Sequence, residues 1–129
     1  TNRIKIIIEN PKLDFTVHTL QIFNKIIGDS NFNWFPNVKK PLKNFLSHQL
    51  PWQTMQPIWK LDFVLKIKGF DENFQRLQDV EFHTRALMQP NVKFLLLNEL
   101  PDCYLRIDNA RKNFDEFNFY RLFLRFIVL

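Results

Sequence analysis

Two titratable residues one helical turn apart, Asp79 and His83, are the first place in this chain where chemistry could reside. The run from Leu77 to Met88 has helical spacing, and projection at about 100° per residue puts Val80, Phe82, Ala86 and Leu87 on one apolar arc. Asp79 and His83 fall near the middle of that arc, whereas Glu81, Thr84 and Arg85 point the other way. An ionised carboxylate on an apolar face is costly unless it is paired or lines a wet cleft, and the helix N-terminus can stabilise it in the first turn. Such a group can act as a general base. The structural alternative is a capping Asp followed by a core His that donates to a backbone carbonyl. Glu81 and Arg85, four apart on the outward side, read as an exposed ion pair worth a few tenths of a kcal/mol, with no functional role.

Further candidates lie on the segments around this helix. PWQTMQP, between Pro51 and Pro57, is kept from becoming a helix by its prolines and is expected to present Trp52, Gln53 and Thr54 on a loop. Trp52 and Trp59 could form a stacking platform for a sugar ring, although loop tryptophans also serve as hydrophobic anchors. Arg106, Arg111 and Lys112 could neutralise negative charge that develops on a bound group, or could form a solvated basic loop. His18 and His48 have no second metal ligand at a regular spacing and Cys103 has no evident base, so all three read as structural.

The elements that must position these residues follow from the same patterns. Ile4–Ile8 is a β-branched run closed by Asn10-Pro11, which predicts a buried strand. Val17, Leu20, Phe23 and Ile27 recur at three and four, predicting a helix over Leu13–Ile27 that ends at Gly28. Asp29–Pro36 reads as a loop with exposed aromatics, and Pro41 opens a helix through Leu50. A third helix is expected over Trp59–Ile67, stopped at Gly69 with Phe70 folding back on its last turn. After the Leu77–Met88 helix come short strands at Val92–Leu97 and Cys103–Ile107, and helical composition returns from Phe114.

Composition sets the outer bounds. The 129 residues suffice for one domain, and 46% hydrophobic residues including 15 Phe supply a core, which excludes disorder. A net charge of +5 attracts anions without naming one. One cysteine permits neither an internal disulfide nor a thiolate metal site, so a reducing, unsecreted setting is expected. Only 2 Gly leave no glycine-rich phosphate loop. The chain opens on Thr1 and stops within FYRLFLRFIVL, so it is expected to be a piece of a longer protein.

KIKGFDENFQRLQDVEFHTRAL, Lys66 to Leu87, resembles the stretch of glycosyltransferase family 2 proteins written GGFDE, several variable residues, then ED and an amphipathic helix with an Arg-containing turn. PWQTMQPIWKLDFVL, Pro51 to Leu65, is similar to the acceptor-side loop and helix before that motif. With PDCYLRID downstream, the resemblance runs from Leu42 to Asp108, about half of the chain. It implies an α/β chain of several helices and a few short strands, the C-terminal, acceptor-side half of a GT-A type domain occupying residues 1–129 as a single unit. It also implies an upstream nucleotide-binding half with a DxD motif for a divalent metal (Mg or Mn) and the sugar diphosphate. No DxD occurs here, Lys68 stands where the family has the first Gly of its pair, and Gln78 stands where it has Glu. The family's catalytic base falls on Asp79, while His83, one turn on, could touch the acceptor or the diphosphate.

The implied function is transfer of a sugar from a nucleotide-sugar donor to a saccharide or lipid-linked acceptor, on the cytoplasmic side and at the inner face of the cell membrane, with the chain inactive by itself. A competing reading is a basic, aromatic-rich binding module for nucleic acid or another anionic polymer, against which stand scattered basic residues and Phe at core-type spacings. FNFYRLFLRFIVL, with Arg121 and Arg125 among large apolar residues, suggests peripheral membrane association. Loss of an upstream half should leave an apolar face near Ile4–Ile8 and Phe32–Phe35 that drives self-association.

Overall fold

In a computed structural model of the chain, residues 2–36 and 38–107 are described. Arg111, Lys112, Arg121, Arg125 and the helix expected from Phe114 lie outside the described residues. The architecture is mixed α/β, with four helices and two small sheets among the described residues. In order they are α1 (Asn2–Glu9), β1 (Phe15–Val17), β2 (Leu20–Phe23), β3 (Asn33–Trp34), α2 (Pro41–Leu46), β4 (Pro57–Trp59), α3 (Leu61–Lys66), α4 (Gln78–Leu87), β5 (Phe94–Leu96) and β6 (Cys103–Arg106).

β1 and β2 are the central strands of the two sheets, ordered β4-β1-β5 and β3-β2-β6. The chain crosses from one sheet to the other through His18–Thr19. On one side the neighbours are antiparallel: Phe15 faces Trp59 and Leu20 faces Trp34. On the other they are parallel, with Phe15 opposite Phe94 and Leu20 opposite Cys103. The parallel side takes six residues, 97–102, to cover the step that His18–Thr19 makes in two, so this segment bulges out of the ladder.

This arrangement corrects the helix expected over Leu13–Ile27. Phe15, Thr16 and Val17 are all fully buried, so β1 is covered on both faces and shows no period-two alternation. The recurrence of Val17, Leu20, Phe23 and Ile27 at three and four belongs to no single element: it runs across β1, β2 and the turn after them. The strand expected at Ile4–Ile8 is instead the amphipathic helix α1, which buries Arg3 and Ile7 and exposes Ile4 and Ile8. In the 29–36 segment, Asn33–Trp34 adds a short edge strand. The helix opened by Pro41 ends at Leu46 rather than Leu50, and Trp59 belongs to β4 rather than to α3.

The core gathers Phe15, Val17, Phe45, Trp52, Phe63, Val80, Phe82 and Ala86, drawn from β1, α2, the 51–57 loop, α3 and α4. It is largely aromatic: Phe15 stacks on Phe94 at 5.0 Å, and Phe45 meets Trp52 edge-on at 5.0 Å. α3 ends in a paired reverse turn in which Gly69 N–H donates to Val64 O at 2.9 Å and Lys68 N–H to Leu65 O at 3.0 Å. The left-handed residue of that turn is Lys68, φ 65°, with Gly69 also left-handed at φ 61°. Phe70 then packs back on α4, stacked on Phe82 at 4.5 Å.

Candidate functional site

α4 spans Gln78–Leu87, with Asp79 and Glu81 in its first turn and Leu77 at its N-cap. No side chain caps this terminus, so the first-turn carboxylates meet the dipole and its free N–H groups directly. The inward arc is wider than the projection indicates: Val80, Phe82, His83, Thr84 and Ala86 are all buried. Thr84 is therefore corrected from the outward face to the core.

Asp79 is half-buried, and its Oδ2 accepts a hydrogen bond from the Thr54 hydroxyl at 3.1 Å. That contact joins the N-terminus of α4 to the loop between two prolines, twenty-five residues earlier. Thr54 is exposed and Gln53 half-buried, so Asp79, Thr54 and Gln53 form one accessible polar edge.

Beneath this edge the site is buried and aromatic. Trp52 and His83 are each only 1% exposed, which corrects the expectation that the loop presents Trp52. Its ring packs between Phe15, Phe45 and His83, at 6.3, 5.0 and 5.9 Å, so its faces are covered and it anchors the loop instead of offering a sugar platform. Trp59 is taken up likewise, stacked on Phe63 and on His83 at 6.0 and 5.7 Å. Burial pushes the His83 imidazole down to about 4, against an opposing pull from the Asp79 charge, so the ring is neutral at pH 7. Among the described residues neither ring nitrogen of His83 has a hydrogen-bond partner, nor does Trp52 Nε1 or Thr84 Oγ1. His83 thus sits under Asp79 as a neutral aromatic packing group, one layer below the accessible edge.

The remaining candidates lie elsewhere. Arg106 is engaged at the end of β6, donating to Lys25 O at 3.3 Å and lying over the Phe23 ring at 5.4 Å. There it also helps hold the Asp29 carboxyl below its usual range, after the three backbone N–H groups of Asn24, Lys25 and Ile26. Arg111 lies outside the described residues. Glu81 and Arg85 are not the exposed pair expected, since their side chains are 12% and 29% exposed. The Arg85 guanidinium grips both Glu81 carboxylate oxygens while donating to Ile67 O and, at 2.6 Å, to Gly69 O. It ties α4 to the turn that ends α3.

Two buried polar residues that sequence reasoning missed control the loop. Gln56, fully buried, donates through Nε2 to His18 O at 2.8 Å and Trp34 O at 3.1 Å, while its Oε1 accepts from Gln53 N–H at 2.7 Å. Arg3, from α1, donates to Met55 O at 3.1 Å and pairs with Asp102 at 2.5 Å. An Arg four residues from Ile7 on the buried face of α1 was a readable signal for the second. For Gln56, one of two glutamines in a proline-bounded segment, the sequence carries none. His18 and Cys103 border the same junction: Thr16 Oγ1 lies 2.9 Å from His18 Nε2, and burial pushes the Cys103 thiol up.

Among the described residues no three His, Cys, Asp or Glu side chains converge into a group that could hold a metal ion. Likewise, no helix among them is long and apolar enough to cross a membrane. The arrangement offers a half-exposed carboxylate oriented by a hydroxyl donor, on a rigid aromatic floor, at a helix N-terminus. No protein-family model matches the chain, and no curated protein or solved structure shows significant similarity to it.

Proposed function

We propose that this chain is the acceptor-side half of an inverting glycosyltransferase of GT-A type fold, in which Asp79 is the general base. The observation that carries the reading is the Thr54–Asp79 hydrogen bond, because it unites the two separate segments on which the resemblance rests. Thr54 occupies Oδ2 and leaves Oδ1 to take the proton of an acceptor hydroxyl as that oxygen attacks the anomeric carbon of a nucleotide sugar. The diphosphate departs from the opposite side. Gln53 and Thr54 border the acceptor, a saccharide or lipid-linked saccharide, and the buried Trp52 and His83 keep the edge from shifting. The sugar diphosphate and its divalent ion belong to a donor half upstream, and no step assigned to this chain depends on that ion. A place at the cytoplasmic face of a membrane goes with this reading.

The test is made in the full-length gene product. Asp79→Asn keeps shape and hydrogen bonding but cannot take a proton, so transfer should fall by at least about two orders of magnitude with donor binding retained. An unchanged rate would remove Asp79 from the role. The 129-residue chain alone, which has no DxD, should turn over no nucleotide sugar, and measurable turnover would overturn the division into halves.

A further inference from the structure

The loop that offers Thr54 to Asp79 is held from below by side chains that reach across the molecule. Gln56 uses both ends of its amide: Nε2 donates to carbonyls of the β1–β2 junction and of β3, and Oε1 accepts the Gln53 N–H. Its backbone joins in, since Gln56 N–H donates to Gln53 O at 3.0 Å and Gln56 O accepts from His18 N–H at 3.1 Å. The segment Gln53–Gln56 is therefore a turn closed on itself and fastened to the point where the chain passes between the two sheets. Arg3 fastens the neighbouring carbonyl, that of Met55, and is itself fixed by Asp102 in the 97–102 bulge. Thr54 lies inside this turn, with its hydroxyl on Asp79.

We infer that Gln56 and Arg3 are positioning residues: they set the Gln53–Gln56 turn so that the Thr54 hydroxyl holds the Asp79 carboxylate in its working orientation. Neither touches a reacting atom. A buried amide with donor and acceptor both used has one low-energy placement, and a guanidinium spanning a carbonyl and a carboxylate has little freedom. The turn thus inherits the rigidity of the sheets, which catalytic geometry requires. This inference rests on the reading of Asp79 as base, and its test separates the two.

The first measurement needs no activity. In the labelled 129-residue chain, the Asp79 side-chain carboxyl resonance and exchange of the Gln53 amide are followed by NMR. Thr54→Val, which deletes the hydroxyl, should move the Asp79 resonance, and Thr54→Ser should leave it in place. Gln56→Met and Arg3→Lys should each speed Gln53 exchange by about tenfold and carry the Asp79 resonance toward its Thr54→Val position. Should Gln56→Met fail to fold, Arg3→Lys decides, because Lys keeps a charge for Asp102 yet cannot also span Met55 O. An Asp79 resonance that stays at its wild-type position in these variants, or in Thr54→Val, overturns the inference.

The second measurement uses the full-length gene product. Thr54→Val should lower kcat about tenfold with the acceptor KM unchanged, and Thr54→Ser should restore it, a split that loss of a binding contact would not give. Full activity in Thr54→Val beside the expected loss in Asp79→Asn overturns this inference alone. Unchanged turnover in Asp79→Asn overturns the base assignment, and the catalytic part of the inference with it.

Discussion

His83 shows how one buried side chain writes itself into the pH response of the molecule. Its folded-state value of about 4 lies below the unfolded value of 6.5, so between those pH values the unfolded chain binds the extra proton. The sign follows: stability is indifferent to His83 above about pH 6.5 and falls as pH drops toward 4, by up to about 3 kcal/mol from this group. Burial lowers His18 and His48 too, which adds to the same trend. Urea unfolding at pH 7.5 and 4.5 should show the loss, and His83→Phe should shrink it; an equal loss in that variant would reject the assignment. Glu81→Gln would be a mild change if the pair with Arg85 were exposed, but the bidentate, half-buried contact predicts a loss of about 1–2 kcal/mol in urea unfolding. That substitution is therefore no neutral control for Asp79→Asn. At this scale the sequence showed Asp79 and His83 sharing a face with the apolar residues of α4. It hid Thr84 and the burial of Glu81 because a helix packed against α2 and lying under the α3 turn is covered over more than one arc. Gln56 stayed hidden because nothing local distinguishes a glutamine that will bridge two sheets.

At the scale of elements, the turn after α3 carries a cost that one substitution should remove. Lys68 holds a left-handed conformation that disfavours a side chain by roughly 1–2 kcal/mol, of which glycine returns part through its greater unfolded freedom. Lys68→Gly should therefore raise stability by about 1 kcal/mol, read as a higher urea midpoint at unchanged slope; a fall would mean that the Lys68 side chain contributes packing that offsets the strain. His48 occupies the equivalent position after α2 at φ 55°, with His48 N–H donating to Phe45 O and Gln49 N–H to Asn44 O. The start of α2 and the stop of α3 were legible because Pro41 and Gly69 punctuate them, although the left-handed backbone begins one residue before Gly69. The first 27 residues were misread in both directions for a shared reason. Ile4–Ile8 is β-branched yet needs only Arg3 and Ile7 inward, while in Phe15–Leu20 every residue is buried, which erases alternation. Long-range packing outweighed local preference in each case.

At the scale of the whole molecule, apolar residues of both stretches expected to stay uncovered reach the surface. Ile4 and Ile8, one turn apart on α1, are 53% and 69% exposed, and Phe32 and Phe35, which flank β3, are 57% and 48% exposed. Apolar groups grouped in this way drive association, so the sedimentation coefficient of the chain should rise with concentration, and Ile8→Lys combined with Phe35→Lys should suppress the rise. Concentration-independent sedimentation of the wild-type chain as a monomer would count against it. The parallel pairings have a different kind of consequence, one of timing. Phe15 must wait for Phe94, and Leu20 for Cys103, before the central strands have neighbours on that side. At a translation speed of roughly 5–20 residues per second, each central strand leaves the ribosome about 4–16 s before its parallel partner exists. Through that interval β1 and β2, which hold the longest run of buried residues among those described, Phe15–Leu20, present an open edge to whatever else is in the cell, and a chaperone that binds extended apolar segments would meet this chain there first.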